Sequence, residues 1–302
     1  MDNANEAAAS PARSQTERKA SQTRRFTRVR RVVQVAALAV FAIAPLYAGW
    51  GLFGQVTGGE ERFAATPSDA FLFGSFSSSS LFGVTLADPF AALEVMVAAK
   101  AFSLDLLIGV LPVLVVYGLV RGRAFCGWVC PANTALELVD WLRRKLHLNV
   151  EERVVPRHAK VYVAAGVLVL SAVLGFPLFE SLSPVGFIPK LIAFGATAGG
   201  VTLAAIILAE LFWGHRVWCR ALCPLGGLYE VVGKVGLVNV AIAHDKCIGC
   251  NACKHACLCD PEILDGAIAG TENRVSAGDC MICGKCIEAC PTDALAMKVG
   301  RP

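Results

Sequence analysis

The sequence predicts two joined parts. One is a membrane all-α domain of four transmembrane helices, built as a two-fold repeat of a helix pair. The other is a small C-terminal α+β domain. Three observations predict this arrangement. Mean hydropathy is +0.57, and 55% of the residues are hydrophobic, which is too apolar for an ordinary soluble domain. Thirteen cysteines are too many for core filling and point to disulfides or to metal, depending on the compartment. The motif FCGWVCP, Phe125 to Pro131, returns as WCRALCP, Trp218 to Pro224.

The elements follow in order. Residues 1–31 carry eight Lys and Arg, among them RRFTRVRR, and read as a disordered basic tail. Four apolar runs then approach the length of about 20 residues that a bilayer core requires: 32–53, 101–120, 161–179 and 191–209. The segment 121–160 holds eight further Lys and Arg, whereas 54–100 holds only Arg62 and Lys100. By the positive-inside rule both termini and the 121–160 segment face the cytoplasm. The predicted location is therefore a bacterial inner membrane, with several passes and both termini cytoplasmic. No stripe of interleaved basic and aromatic residues suggests nucleic acid.

Within the membrane part, 32–238, the two motifs align residue by residue. Arg123 matches Arg216, Cys126 matches Cys219, Cys130 matches Cys223, Pro131 matches Pro224 and Glu137 matches Glu230. Pro131 and Pro224 suit the first turn of a helix, where a missing amide costs little. The helix Ala132 to Leu146, with Leu136, Val139, Leu142 and Leu146 against Arg143, Arg144 and Lys145, reads as an interfacial helix on membrane lipid. Cys126, Cys130, Cys219 and Cys223 are candidates for a third iron–sulfur cluster, a redox dithiol or a docking surface; the bland reading is small buried residues.

Residues 239–302 carry C-x2-C-x2-C-x3-C twice: Cys247, Cys250, Cys253 and Cys257, then Cys280, Cys283, Cys286 and Cys290. This is the bacterial two-[4Fe–4S] ferredoxin spacing, in which the fourth cysteine of each run serves the other cluster. One cluster is assigned Cys247, Cys250, Cys253 and Cys290; the other Cys280, Cys283, Cys286 and Cys257. Gly249 and Gly284 are expected to let the backbone turn around the sulfurs. Zinc also binds CxxC pairs, but eight cysteines in this periodic order fit clusters better. Cys257 is followed by Leu258, Cys259 and Asp260 instead of proline, so Cys259 reads as a spare thiol.

The order of basic tail, four apolar runs, two CxxxCP motifs and a two-cluster tail resembles the NapH/MauN family. SSSSLF (Ser77 to Phe82), LADP (Leu86 to Pro89), WLRRKLHLN (Trp141 to Asn149), VPRH (Val155 to His158) and SPV (Ser183 to Val185) agree with it. The resemblance covers nearly the whole chain from Arg28. It implies oxidation of a quinol and relay of electrons toward a periplasmic reductase, with nitrate reductase first in view. It also implies a NapG-like exported iron–sulfur protein and a multihaem cytochrome as partners. A methylamine-utilisation role, and a maturation role for a metalloenzyme, are the alternatives. A quinol site needs a proton acceptor; His158 and Glu210, beside the third and fourth runs, are the candidates.

Overall fold

In the computed structural model of the chain, residues 25–47, 72–74, 78–81, 84–147, 156, 158–187 and 198–300 are described. Most of the expected basic tail, the end of the first apolar run and the start of the fourth lie outside them.

The chain opens with helix α1 (Arg25–Tyr47). A small antiparallel sheet follows: β1 (Leu72–Gly74), β2 (Ser78–Leu81) and β3 (Val84–Ala87), with Ser80 opposite Thr85. Helix α2 (Pro89–Ala99) starts on a sequence-encoded stop: Asp88 caps it by accepting from the Phe90 and Ala91 amides, and Pro89 takes the first turn. Helix α3 (Leu104–Val120) is capped by Ser103. The first CxxxCP motif lies on short helix α4 (Ala124–Trp128) and at the start of α5 (Pro131–Lys145). Helices α6 (Ala159–Leu174), α7 (Leu178–Leu182) and α8 (Ala198–Phe212) follow. The second motif forms a π-turn, Trp218–Leu222, before α9 (Pro224–Val232). Both motif prolines occupy the first helical turn, as the repeat predicts.

The C-terminal part is closed by an antiparallel pair. Strand β4 (Val238–Ile242) lies beside β5 (Leu295–Val299), with Val238 opposite Val299 and Ile242 opposite Leu295. Between them run α10 (Ala252–His255), α11 (Asp265–Ile268) and α12 (Lys285–Ala289). The strand pair therefore brackets both cysteine runs and brings them together.

The four-span expectation is corrected. Among the described residues no helix is long and apolar enough to cross a membrane. Helices α3, α6 and α8 have 17, 16 and 15 residues, so at about 1.5 Å per residue the longest reaches only about 25 Å, short of the roughly 30 Å hydrocarbon core. The apolar runs in the sequence are longer than the helices because caps cut them. Ser103 starts α3 inside the second run, and Gly175, at φ 66°, ends α6 inside the third. Helix α1 is longer, but its first seven residues include Arg25, Arg28, Arg30 and Arg31. Much of the chain's hydropathy lies on its surface instead, with Leu111 and Val173 among the exposed side chains.

The charge-based orientation, and with it the multi-pass inner-membrane placement, loses its footing for a second reason. Several counted cations are not in loops but in the core. Arg121, Arg123 and Lys160 are each no more than 1% exposed. Arg121 donates to the carbonyls of Val238, Val275 and Ala277, at 3.2, 2.9 and 2.6 Å, and to the Asn239 side chain. It fastens the end of α3 to the C-terminal domain. The interfacial helix of the sequence reading is also half turned inward: α5 buries Leu136, Val139, Asp140 and Arg143 while Leu142 and Leu146 stay exposed.

Candidate metal centres

The two cysteine runs of the C-terminal domain wrap around each other. Gly249 and Gly284 have φ of 66° and 74°, the left-handed conformation glycine adopts freely, as the turn expectation requires. Asn251 (58°) and Ile282 (44°) share it. One cavity is lined by Cys247, Cys250, Cys253 and Cys290, with Ile242, Pro291 and Leu295 around them. Three thiols of the first run and the last thiol of the second thus face a common space. The Ala294 amide donates to Cys290 Sγ at 3.3 Å. Burial raises the Cys290 thiol, but hydrogen bonds from Thr292 and the surrounding amides outweigh it and hold Cys290 below its usual value. The thiols of the second set lie within electrostatic reach of one another, with Cys259 and Cys253 also close. Burial drives Cys257 well above the usual thiol range, and its thiol neighbours include Cys283 and Cys286; Cys286 in turn has Cys280 and Cys283 beside it.

An all-thiol donor set around an uncharged cavity suits a [4Fe–4S] group. Among the described residues no group of three or more His, Cys, Asp or Glu is already placed at metal-binding distance.

The CxxxCP motifs converge as well. Cys126, Cys130, Cys219 and Cys223 are all buried in one core cluster with Phe125, Leu136, Tyr229 and Met281. Their side chains feel one another: Cys130 has Cys126, Cys219 and Cys223 as neighbours. Burial raises all four thiols, Cys223 to about 12. Left as thiols they are neutral and unreactive at pH 7. This site abuts the C-terminal domain. Trp128 Nε1 donates to the Ile282 carbonyl at 3.1 Å, and a Cβ on Gly127 would lie 2.7 Å from the Met281 carbonyl oxygen. The FCGWVCP segment therefore rests directly on the second cysteine run.

Sequence reasoning missed the ionic bridge between these sites. Arg123 donates to the Cys219 carbonyl (2.8 Å) and to Cys259 Sγ (2.7 Å) and pairs with Asp279 (3.4 Å). Lys160 joins Asp279 (2.6 Å) to Glu230 (3.1 Å), and Glu230 meets His158 Nδ1 at 2.6 Å. Cys259, read as spare, is thus fixed between the two sites. Burial pushes it to about 12. The repeat signal could have found part of this bridge, because Glu137 meets Arg30 (2.6 Å) as its partner Glu230 meets Lys160.

The candidate proton acceptors do not share a place. His158 is 61% exposed at its side chain and bound to Glu230. Glu210 is buried and accepts from the Arg216 amide at 2.5 Å.

Comparison with known proteins finds iron–sulfur domain families in the chain. The chain matches two families, each described as a 4Fe-4S binding domain. One covers residues 102–149 and 196–241, which contain both CxxxCP motifs; the other covers 274–296. The methylamine utilization ferredoxin-type protein MauN of Methylorubrum extorquens is 33% identical over 89% of this chain and 87% of the relative. The ferredoxin-type protein NapH of Escherichia coli K12 is 30% identical over 91% of this chain and 90% of the relative. MauN of Paracoccus denitrificans is 32% identical over 83% and 82%. No solved structure matches the chain.

Proposed function

We infer that this chain, which belongs to the family of ferredoxin-type iron–sulfur proteins that includes NapH and MauN, takes electrons from a quinol and passes them to a separate redox protein. Its 4Fe-4S binding domains make it an iron–sulfur electron-transfer protein. The donor, the number of clusters and their ligands are our proposal.

Cys247, Cys250, Cys253 and Cys290 hold one [4Fe–4S] group; Cys280, Cys283, Cys286 and Cys257 hold the other. Each group would supply one-electron transfer. The observation that carries this assignment is the cavity in which Cys290 joins the three thiols of the other run. The protein's own work is to gather the thiols, aim amides at their sulfurs and keep charge out of the cavity. The four CxxxCP thiols would form a third redox site by holding a further iron–sulfur cluster; left as thiols they serve as packing and docking residues. Trp128 and Gly127 seat this site against the second run. The receiving partner is an exported iron–sulfur protein, a multihaem cytochrome or a reductase. Nitrate and methylamine metabolism stand level, since relatives of both kinds match equally.

Anaerobic titration of the iron-loaded chain with a quinol tests the reading. We expect stoichiometric bleaching of the iron–sulfur absorbance. A chain reduced by dithionite but never by quinol would instead support a maturation role.

A further inference from the structure

A second cavity lies against the CxxxCP site, away from the C-terminal domain. It measures about 160 Å³, the size that holds one benzene-like ring. Phe41, Val113, Tyr117, Phe125 and Tyr229 supply apolar walls, and Asp88 lines it too. Three of the rings form one cluster. Tyr117 meets Phe125 edge-on at 5.7 Å and Tyr229 at 5.8 Å, and Phe125 lies 5.9 Å from Tyr229. Phe125 and Val129 each precede a motif cysteine, so one wall of the cavity is the thiol motif itself.

Among the described residues that line it, Asp88 is the one carboxyl. Both cap hydrogen bonds fall on its Oδ1, at 2.8 and 3.1 Å, and Oδ2 takes no part in the cap. The ionisable groups that face it are Glu94, Glu180, Tyr117, Tyr229, Cys126 and Cys223.

We propose that this cavity binds a flat apolar ring carrying a hydroxyl or carbonyl oxygen, and that Asp88 holds that oxygen. The proposal rests on the electron-transfer reading above and places its donor beside Cys126 and Cys130, not at His158 or Glu210. Burial, resisted by the two cap amides and helped by Glu180 and Glu94, raises the Asp88 carboxyl to about 7. Near neutral pH it therefore exists in both forms. Ionised, Asp88 accepts from a ring hydroxyl; protonated, it donates to a ring carbonyl. Reduced and oxidised rings should then prefer opposite sides of neutrality.

The test uses the full chain, purified anaerobically and iron-loaded, with durohydroquinone and duroquinone as probes. Their rings are fully substituted and do not alkylate thiols. Calorimetric affinity for durohydroquinone should rise about tenfold from pH 6 to pH 8, following the ionised fraction of a group titrating near 7. Affinity for duroquinone should fall over the same range. Asp88→Asn keeps a competent helix cap and should flatten both profiles. Val113→Trp should fill the cavity and lower affinity for both rings at least tenfold, while dithionite still reduces the iron. A wild-type affinity independent of pH, an Asp88→Asn chain with the wild-type profile, or a Val113→Trp chain that binds as before would each overturn the proposal. A chain that holds iron and is reduced by a quinol yet binds neither ring in this cavity, with Asp88→Asn and Val113→Trp without effect, loses this inference alone. One that binds both rings but holds no iron loses the reading above and keeps this one.

Discussion

Replacing Cys290 with alanine is expected to remove the iron–sulfur centre of the other cysteine run. Cys290 sits ten positions from Cys280 in sequence, yet it shares its cavity with Cys247, Cys250 and Cys253. Removing its thiol leaves three donors where a cube needs four. Cys290→Ala should therefore lose about four irons and about four sulfides, taken from the centre of the first run. Cys257→Ala should empty the second. Each variant should keep one paramagnetic signal on reduction, and the two remaining signals should differ. Non-crossed ligation would reverse the pairing: Cys290→Ala would spare the centre of the first run. Spectra of single-run controls, such as Cys250→Ala and Cys283→Ala, identify which signal is which.

The second large effect is on stability, at Arg216. This side chain is 0% exposed. Its Nε and Nη2 reach Asp140 Oδ2 at 3.1 and 2.5 Å, and Nη1 reaches Asn133 Oδ1 at 2.6 Å. Arg216→Met should cost about 1–3 kcal/mol, because it removes the guanidinium that Asp140 and Asn133 share and leaves His215, 3.2 Å from Asp140, as the remaining ionic partner. Denaturant unfolding should show a lower midpoint with an unchanged slope. The pH dependence has a definite sign. Burial raises the Asp140 carboxyl, but His215 and Arg216 outweigh it and hold Asp140 below its usual value. A depressed carboxyl stabilises the fold above its unfolded pKa of about 3.9, and that stability is lost as pH falls through the folded value. Acid unfolding of the wild type should therefore steepen below about pH 4, and Arg216→Met should lose part of that dependence while His215 keeps the rest. Glu210 has the opposite sign. Burial raises it, against the Arg216 amide, so its ionisation works against the fold above about pH 4.3. A midpoint unchanged by Arg216→Met would show that the network contributes nothing net.

The two cysteine runs and their glycine turns were legible because spacing is local text: Gly249 and Gly284 take the left-handed turn, and the strand pair β4–β5 brings the runs together. The CxxxCP repeat was legible for the same reason. Helix length was not. A hydropathy window sums Ala101 and Phe102 with α3, and Gly175 with the residues before it, but it does not see that Ser103 and Gly175 end those helices. Charge counting failed likewise at Arg121, Arg123 and Lys160. A lysine in text looks solvated, and nothing near Lys160 in sequence announces Asp279 or Glu230, its partners across the fold. The cavity at Asp88 was hidden because its walls come from distant segments, from Phe41 to Tyr229.

The central claim is that eight cysteines of the C-terminal domain hold two crossed [4Fe–4S] centres. Iron and acid-labile sulfide, counted on anaerobically prepared full-length chain, test it most directly. The account predicts about eight of each per chain, rising to roughly ten to twelve irons if the four buried CxxxCP thiols carry a further cluster. Four irons or fewer on a fully folded chain, or zinc in place of iron, would contradict it.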